Sequence, residues 1–166
     1  MNVLVSGITG FVGRNLCFYL RDYNIRELSI RFKTNQSIEV NDADTIIHLA
    51  GKAHDLKNVS IPSDYYEANF ELTKQLYDAF LKSDSKKFIF ISSIKAAADK
   101  VDSVLTEDIK PNPQTHYGKS KLMAEDYIIA QPLTDGKSYY ILRPCLIHGP
   151  DNKGNLNLLY NLVSKD

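Results

Sequence analysis

The chain has 166 residues, and Lys+Arg and Asp+Glu both count 20, so no net field recruits nucleic acid or an anionic membrane surface. A hydrophobic content of 43% and a charged content of 24% are those of an ordinary globular domain, and no apolar stretch approaches the ~20 residues of a membrane span. Four histidines and the two cysteines, Cys17 and Cys145, never cluster at metal-ligand spacing, which argues against a zinc site and against a disulfide framework.

In chain order, residues 2–6 (NVLVS) read as a buried strand, and residues 11–22 as a helix with Phe11, Val12, Leu16 and Leu20 on one side. LSIRF at 28–32 reads as a second strand and TIIHLA at 45–50 as a third. Residues 64–83 carry Tyr66, Phe70, Leu72, Leu76, Ala79 and Phe80 at helical spacing. KFIFISS at 87–93 is a strand with an almost unbroken apolar run. Residues 94–116, with Pro111 and Pro113, read as an irregular loop. A helix over 118–130, a strand at 139–144 and a last helix at 155–163 complete the pattern. Strands buried on both faces and alternating with helices predict an α/β fold, a doubly wound parallel sheet. The interval between the second and third strands is too short for a full helical unit, so one α/β unit is shortened there.

Gly7, Gly10 and Gly13 fall between the first strand and the first helix. The first glycine permits a tight turn, the second lets backbone N–H groups approach a pyrophosphate, and the third lets helix and sheet pack closely. Strand, glycines and helix together make the context that a phosphate-binding turn requires.

THYGKSKLMAE at 115–125 places Tyr117 four residues before Lys121. In a chain this rich in both residues about one such pair arises by chance, so its surroundings must decide. Ser92 and Ser93 close an apolar strand 24 residues before Tyr117, and LRPCLIHGP follows later. On a helix, i and i+4 share a face, so the Lys121 ammonium can sit near the Tyr117 oxygen and favour phenolate.

The glycine spacing and this order of features resemble the extended short-chain dehydrogenase/reductases, and more specifically the NAD-dependent epimerase/dehydratase family acting on nucleotide sugars. The resemblance implies a Rossmann-like fold and a catalytic set of Ser93, Tyr117 and Lys121, with Ser93 orienting the reacting oxygen and Tyr117 moving its proton. It implies cofactor contacts from Gly7, Gly10, Phe11, Val12, Gly13, Leu49, Ala50, Gly51, Asn69, Pro144 and Cys145, and substrate contacts from Ser93, Tyr117 and Asn155. Lys52 and His54 either reach phosphates or lie on the surface; His148 reads as structural.

Arg31 and Lys33 stand where dinucleotide folds usually carry an acid for the ribose 2′-hydroxyl. NAD is the family's usual cofactor, whereas a cationic pair there suits the 2′-phosphate of NADP, and the residues leave both open. The resemblance further implies a UDP-hexose or UDP-N-acetylhexosamine 4-epimerase, cytoplasmic, serving surface polysaccharide synthesis, and homodimeric when full length. The alternatives are an NADPH-dependent 4-keto-sugar reductase and a non-catalytic nucleotide-binding protein. Family members run to roughly twice this length. Residues 1–166 are therefore expected to be the dinucleotide-binding domain, inactive alone, with the substrate domain largely absent.

Overall fold

The computed structural model describes residues 1–53, 61–101, 104–134, 136–151 and 163. The elements are β1 Asn2–Ser6, α1 Phe11–Tyr19, β2 Asn24–Leu28, β3 Thr45–His48, α2 Pro62–Tyr66, α3 Leu72–Lys82, β4 Lys87–Ile91, α4 His116–Ala130 and β5 Ser138–Leu142. A π-helical turn, Glu67–Glu71, joins α2 to α3, and a 3₁₀ turn, Ile94–Ala96, follows β4. The expected last helix lies outside the described residues, apart from Val163.

All strand pairs are parallel, in the order β2-β1-β3-β4-β5. The order reverses at β1, so the crevice between the carboxyl ends of β1 and β3 is where such a sheet binds its ligand. Register aligns Leu4 with Ile46 and Ile46 with Phe88, and these pack with Phe90 against Leu76, Tyr77 and Phe80 of α3 and Ala124 and Ile128 of α4. On the opposite face Val3, Val5 and Ile47 pack with Leu16 of α1. Alternate residues of each strand thus face two separate helical layers, which is why the strands read as continuous apolar runs rather than alternating ones.

The second strand is the main correction to the sequence reading, ending at Leu28 where it was expected to begin. Ile25 packs on the α1 side and Leu28 on the α3 side, while Arg26 and Glu27 between them leave the strand half-exposed at the sheet edge. An edge strand needs few apolar residues, and that charged pair concealed it. Arg31 consequently stands on the loop beyond the strand.

The helix expected over 64–83 is observed as α2, the π turn and α3 in direct succession. Lys137 closes its C-terminal end, with Nζ donating to the carbonyls of Phe80, Ser83 and Ser85 at 2.9, 2.6 and 2.7 Å. A cation placed on the last carbonyls of a helix is favourable.

Candidate active site

The turn after β1 is as tight as its glycines require. Gly7 has φ +74, and a Cβ there would stand 2.7 Å from the Ala50 nitrogen; one on Gly13 would stand 2.4 Å from the Gly7 carbonyl. Gly10 caps α1 without a side-chain hydrogen bond, so the first N–H groups of that helix have no side-chain acceptor at their cap. The cleft beyond this turn encloses about 650 Å³, and Gly7, Gly10, Arg31, Leu49, Ala50 and Gly51 all line it. An uncapped helix start, backbone-lined walls and a cation at one end suit a dinucleotide pyrophosphate and ribose.

Gly51 connects this cleft to Asn69 and Lys121. A Cβ on it would lie 2.7 Å from Asn69 Oδ1 and 3.3 Å from Lys121 Nζ. Asn69 is fully buried in the π turn; its Oδ1 accepts from the Lys52 N–H at 2.8 Å, and its Nδ2 donates to the Lys52 carbonyl at 2.9 Å and to Ser120 Oγ at 3.0 Å. It therefore fixes the Gly51–Lys52 backbone to α4. Asn69 lies within the π turn, a feature frequent at functional sites.

A second buried relay runs beneath the cleft. The Ala50 N–H donates to Ser6 Oγ (3.3 Å), Ser6 Oγ pairs with His48 Nδ1 (2.6 Å), His48 Nε2 pairs with Thr73 Oγ1 (2.9 Å), and Thr73 donates to the Asn69 carbonyl (2.7 Å). Because Thr73 uses its proton on Asn69, Nε2 must carry the imidazole hydrogen and Nδ1 must accept from Ser6. Burial, followed by the nearby Lys121 charge, pushes His48 down to about 3.

Ser93 sits just beyond β4 and caps the 3₁₀ turn, its Oγ accepting from the Lys95 N–H at 3.2 Å. The Ser93 hydroxyl is also close enough to the Tyr117 phenol to act on its titration. Burial raises Tyr117 above the ordinary value and the Ser93 hydroxyl works in the opposite direction. The net direction differs from the depression expected from Lys121, whose ammonium is engaged elsewhere. Lys121 Nζ donates to the Ile91 carbonyl at 2.9 Å and lies 4.7 Å from the Phe90 ring centroid. Its burial brings the ammonium down to about 8, against the opposing pull of Glu125.

Tyr117 is placed by the start of α4, which begins at His116, two residues earlier than expected. Thr115 caps the helix, its Oγ1 accepting from the Gly118 N–H at 3.1 Å. Asp99, in the segment expected to be irregular, accepts from Gln114 N (2.6 Å), Thr115 N (3.1 Å) and Thr115 Oγ1 (3.0 Å). A Cβ on Gly118 would stand 2.3 Å from the Lys95 carbonyl, so the glycine allows α4 to meet the turn that carries Ser93.

One α-helical turn past Lys121, the Glu125 carboxylate is 1% exposed. It accepts from Ser92 Oγ and, through both oxygens, from the Arg143 guanidinium, with Nε at 3.0 Å from each. Beyond β5, the Ile94 N–H donates to the Pro144 carbonyl at 3.2 Å. Cys145 is exposed, and Asn15 of α1 donates to the Pro150 carbonyl at 3.1 Å. Gly149 lies against the Phe11 ring. Val12 and Pro144 line a second cleft of about 730 Å³ with Ile94 and Arg143, separate from the one at Gly7.

The fold thus brings Lys121 to Gly51 at the first cleft, sets Tyr117 one turn before it on α4, and puts Ser93 on the turn that α4 meets at Gly118. Val12 and Pro144 stand on another side of the α1 start, and His54 and Asn155 lie outside the described residues. The sequence reading passed over His48, Gly118 and Glu125, and gave Ser92 no role of its own. Glu125 had a signal, since with Tyr117 and Lys121 it repeats at i, i+4 and i+8, and so did Gly118, a glycine inside a helical pattern. Among the described residues no group of three His, Cys, Asp or Glu could hold a metal ion, and no helix is long and apolar enough to cross a membrane.

Residues 3–165 match the model of the NAD dependent epimerase/dehydratase family. The chain is 30% identical to UDP-glucose 4-epimerase of Vibrio cholerae, over 99% of this chain and 57% of that protein. It is 32% identical to N-acetyl-alpha-D-glucosaminyl-diphospho-ditrans,octacis-undecaprenol 4-epimerase of Escherichia coli O157:H7, over 99% of this chain and 53% of that one. A solved structure, RMD from Pseudomonas aeruginosa complexed with NADPH, superposes with TM-score 0.72 at 25% identity, covering 92% of this chain and 56% of that one. The chain spans about half the length of the curated relatives it matches.

Proposed function

The chain belongs to the NAD-dependent epimerase/dehydratase family, and from that premise we propose that it supplies the cofactor cleft and the proton-transfer residues of a nucleotide-sugar 4-epimerase. The observation that carries this reading is the buried Lys121 ammonium at Gly51 on the cleft floor, with Tyr117 one turn before it on α4 and Ser93 capping the turn that α4 meets at Gly118. Gly7, Gly10, Leu49, Ala50 and Gly51 would hold a nicotinamide dinucleotide, which when bound would accept the C4 hydride and give it back to the other face of the keto sugar. Tyr117 takes the proton of the sugar 4-hydroxyl as that carbon is oxidised, and returns it after the keto sugar has presented its other face. Ser93 holds the reacting oxygen, and the Lys121 ammonium, which rests on the Ile91 carbonyl, turns toward the phenol to support the phenolate as it forms. The raised Tyr117 value makes this step dependent on positive charge brought next to the phenol.

The substrate in this reading is UDP-hexose or UDP-N-acetylhexosamine, used in the cytoplasm for surface polysaccharide sugars; the resemblance to a UDP-glucose 4-epimerase supports that class. A homodimer contact through the helices at 64–83 and 118–130, in the full-length protein, belongs to the same reading. A second reading, an NADPH-dependent 4-keto-sugar-nucleotide reductase, is favoured by Arg31 in the cleft wall, where a cation suits a 2′-phosphate. The cofactor economy of the whole protein separates the two. A 4-epimerase interconverts its sugars with no net change in nicotinamide absorbance, whereas a reductase oxidises NADPH stoichiometrically with product. Stoichiometric consumption would defeat the epimerase reading.

A further inference from the structure

We propose that Glu125 is a positioning residue that joins the three segments of the active site and holds the Lys121 ammonium charged. The proposal rests on the assignment of Ser93, Tyr117 and Lys121 as the reacting set and goes beyond it, because Glu125 touches neither cofactor nor sugar in that scheme. It occupies the Tyr117–Lys121 face of α4, one turn further on, and is almost completely removed from water. Ser92, which it accepts from, is covalently joined to Ser93. Arg143, which donates to both its oxygens, opens the segment containing Pro144 and Cys145.

The backbone reinforces the same junction. The Ser92 N–H donates to the Leu142 carbonyl at 2.8 Å, and the Ile94 N–H to that of Pro144 at 3.2 Å. The Lys121 ammonium donates to the Ile91 carbonyl, the residue just before Ser92. Lys121 and Glu125 therefore grip consecutive residues of one strand end from the same helix face. A charge that only anchored Arg143 need not lie on this face.

The electrostatic consequence follows from what faces each group. Around Lys121 stand Glu125 from its own helix and the neutral His48 from β3; around Glu125 stand Lys121 and the exposed Asp126 on α4, Arg143 from the β5 exit and Ser92 from the β4 exit. Burial opposes the Lys121 charge and Glu125 opposes that loss. Without the carboxylate the ammonium would release its proton nearer neutral pH, and Tyr117 would lose cationic support where the reaction runs.

The test is the Lys121 side-chain titration, followed by ¹³Cε NMR of lysine-labelled protein, with the resonance assigned through Lys121→Arg. Glu125→Gln is expected to move the midpoint down by about one pH unit, and Glu125→Asp to restore it. A midpoint unchanged in a folded Glu125→Gln protein would overturn the proposal, because a purely structural carboxylate would leave it in place. Arg143→Gln carries the test if Glu125→Gln does not fold. It removes the competing cation, so the midpoint should rise, and an unchanged or lowered value overturns the proposal. NADH fluorescence titration of the wild-type chain keeps the two readings separate. Failure to bind NADH defeats the functional reading, while the Lys121 shift alone decides the role of Glu125.

Discussion

Acid should unlock the cofactor cleft through one histidine. His48 is fully buried, and its ring nitrogens are both committed in the relay from Ala50 to Asn69. Protonation would aim a second ring N–H at Ser6, whose oxygen already accepts from Ala50 and whose own hydrogen would then lack its acceptor. The folded value near 3 lies below the 6.5 of the unfolded chain, so between these limits the unfolded state binds more protons and stability falls as pH falls. Linkage puts the loss from about pH 7 to about pH 4 at roughly 3 kcal/mol from this residue. Urea unfolding followed by circular dichroism at a series of pH values measures it. His48→Gln keeps one donor and one acceptor in the same place, with nothing to titrate. It should start less stable by about 1–3 kcal/mol and lose roughly 3 kcal/mol less than wild type on acidification. Asp99 also weakens the fold in acid, since burial raises it but the bonds from Gln114 and Thr115 bring it below the ordinary range. That loss is common to both proteins and cancels in the comparison. Parallel pH profiles for wild type and His48→Gln would refute the relay.

Three further outcomes follow from the same geometry. Tyr117→Phe should lower turnover of the whole protein by roughly 10²–10⁴-fold with cofactor affinity retained, as loss of a general base does; steady-state kinetics and NADH titration check the two halves. Arg31→Ala should weaken NADP binding about 10- to 100-fold, the worth of a lost charge-assisted bond, and leave NAD binding within a few-fold; an unchanged NADP preference removes Arg31 from the cofactor site. Gly118→Ala forces a Cβ to 2.3 Å from the Lys95 carbonyl and should cost about 1–3 kcal/mol, seen as a lowered melting temperature.

Much of this fold could be read before any coordinates. β1, β3 and β4 are buried on both faces, so their apolar runs are dense, and the glycine turn leaves a spacing that sterics demand. Tyr117 and Lys121 were legible as a helical pair because their relation is local. What the sequence concealed is non-local or half-solvated. β2 hides because an edge strand with Arg26 and Glu27 needs only Ile25 and Leu28 to dock. The π turn leaves no periodic trace, since one extra residue per turn only blurs the apolar spacing around Asn69. The partners of Glu125 are invisible in the sequence because Arg143 lies eighteen positions on and Ser92 thirty-three back. The direction of the Tyr117 shift was misjudged for the same reason: i+4 spacing puts Lys121 on the right face, but the strand-end carbonyl of Ile91 and the Phe90 ring decide where its ammonium goes.

The arrangement of the reacting groups is tested most directly by a crystal structure of the protein grown with a nicotinamide dinucleotide. The pyrophosphate should lie on the Gly7–Gly13 turn, the nicotinamide ribose within hydrogen-bond reach of Lys121, and the nicotinamide ring beside the Tyr117 phenol. A dinucleotide bound with its nicotinamide away from Ser93, Tyr117 and Lys121 would contradict the assignment of all three.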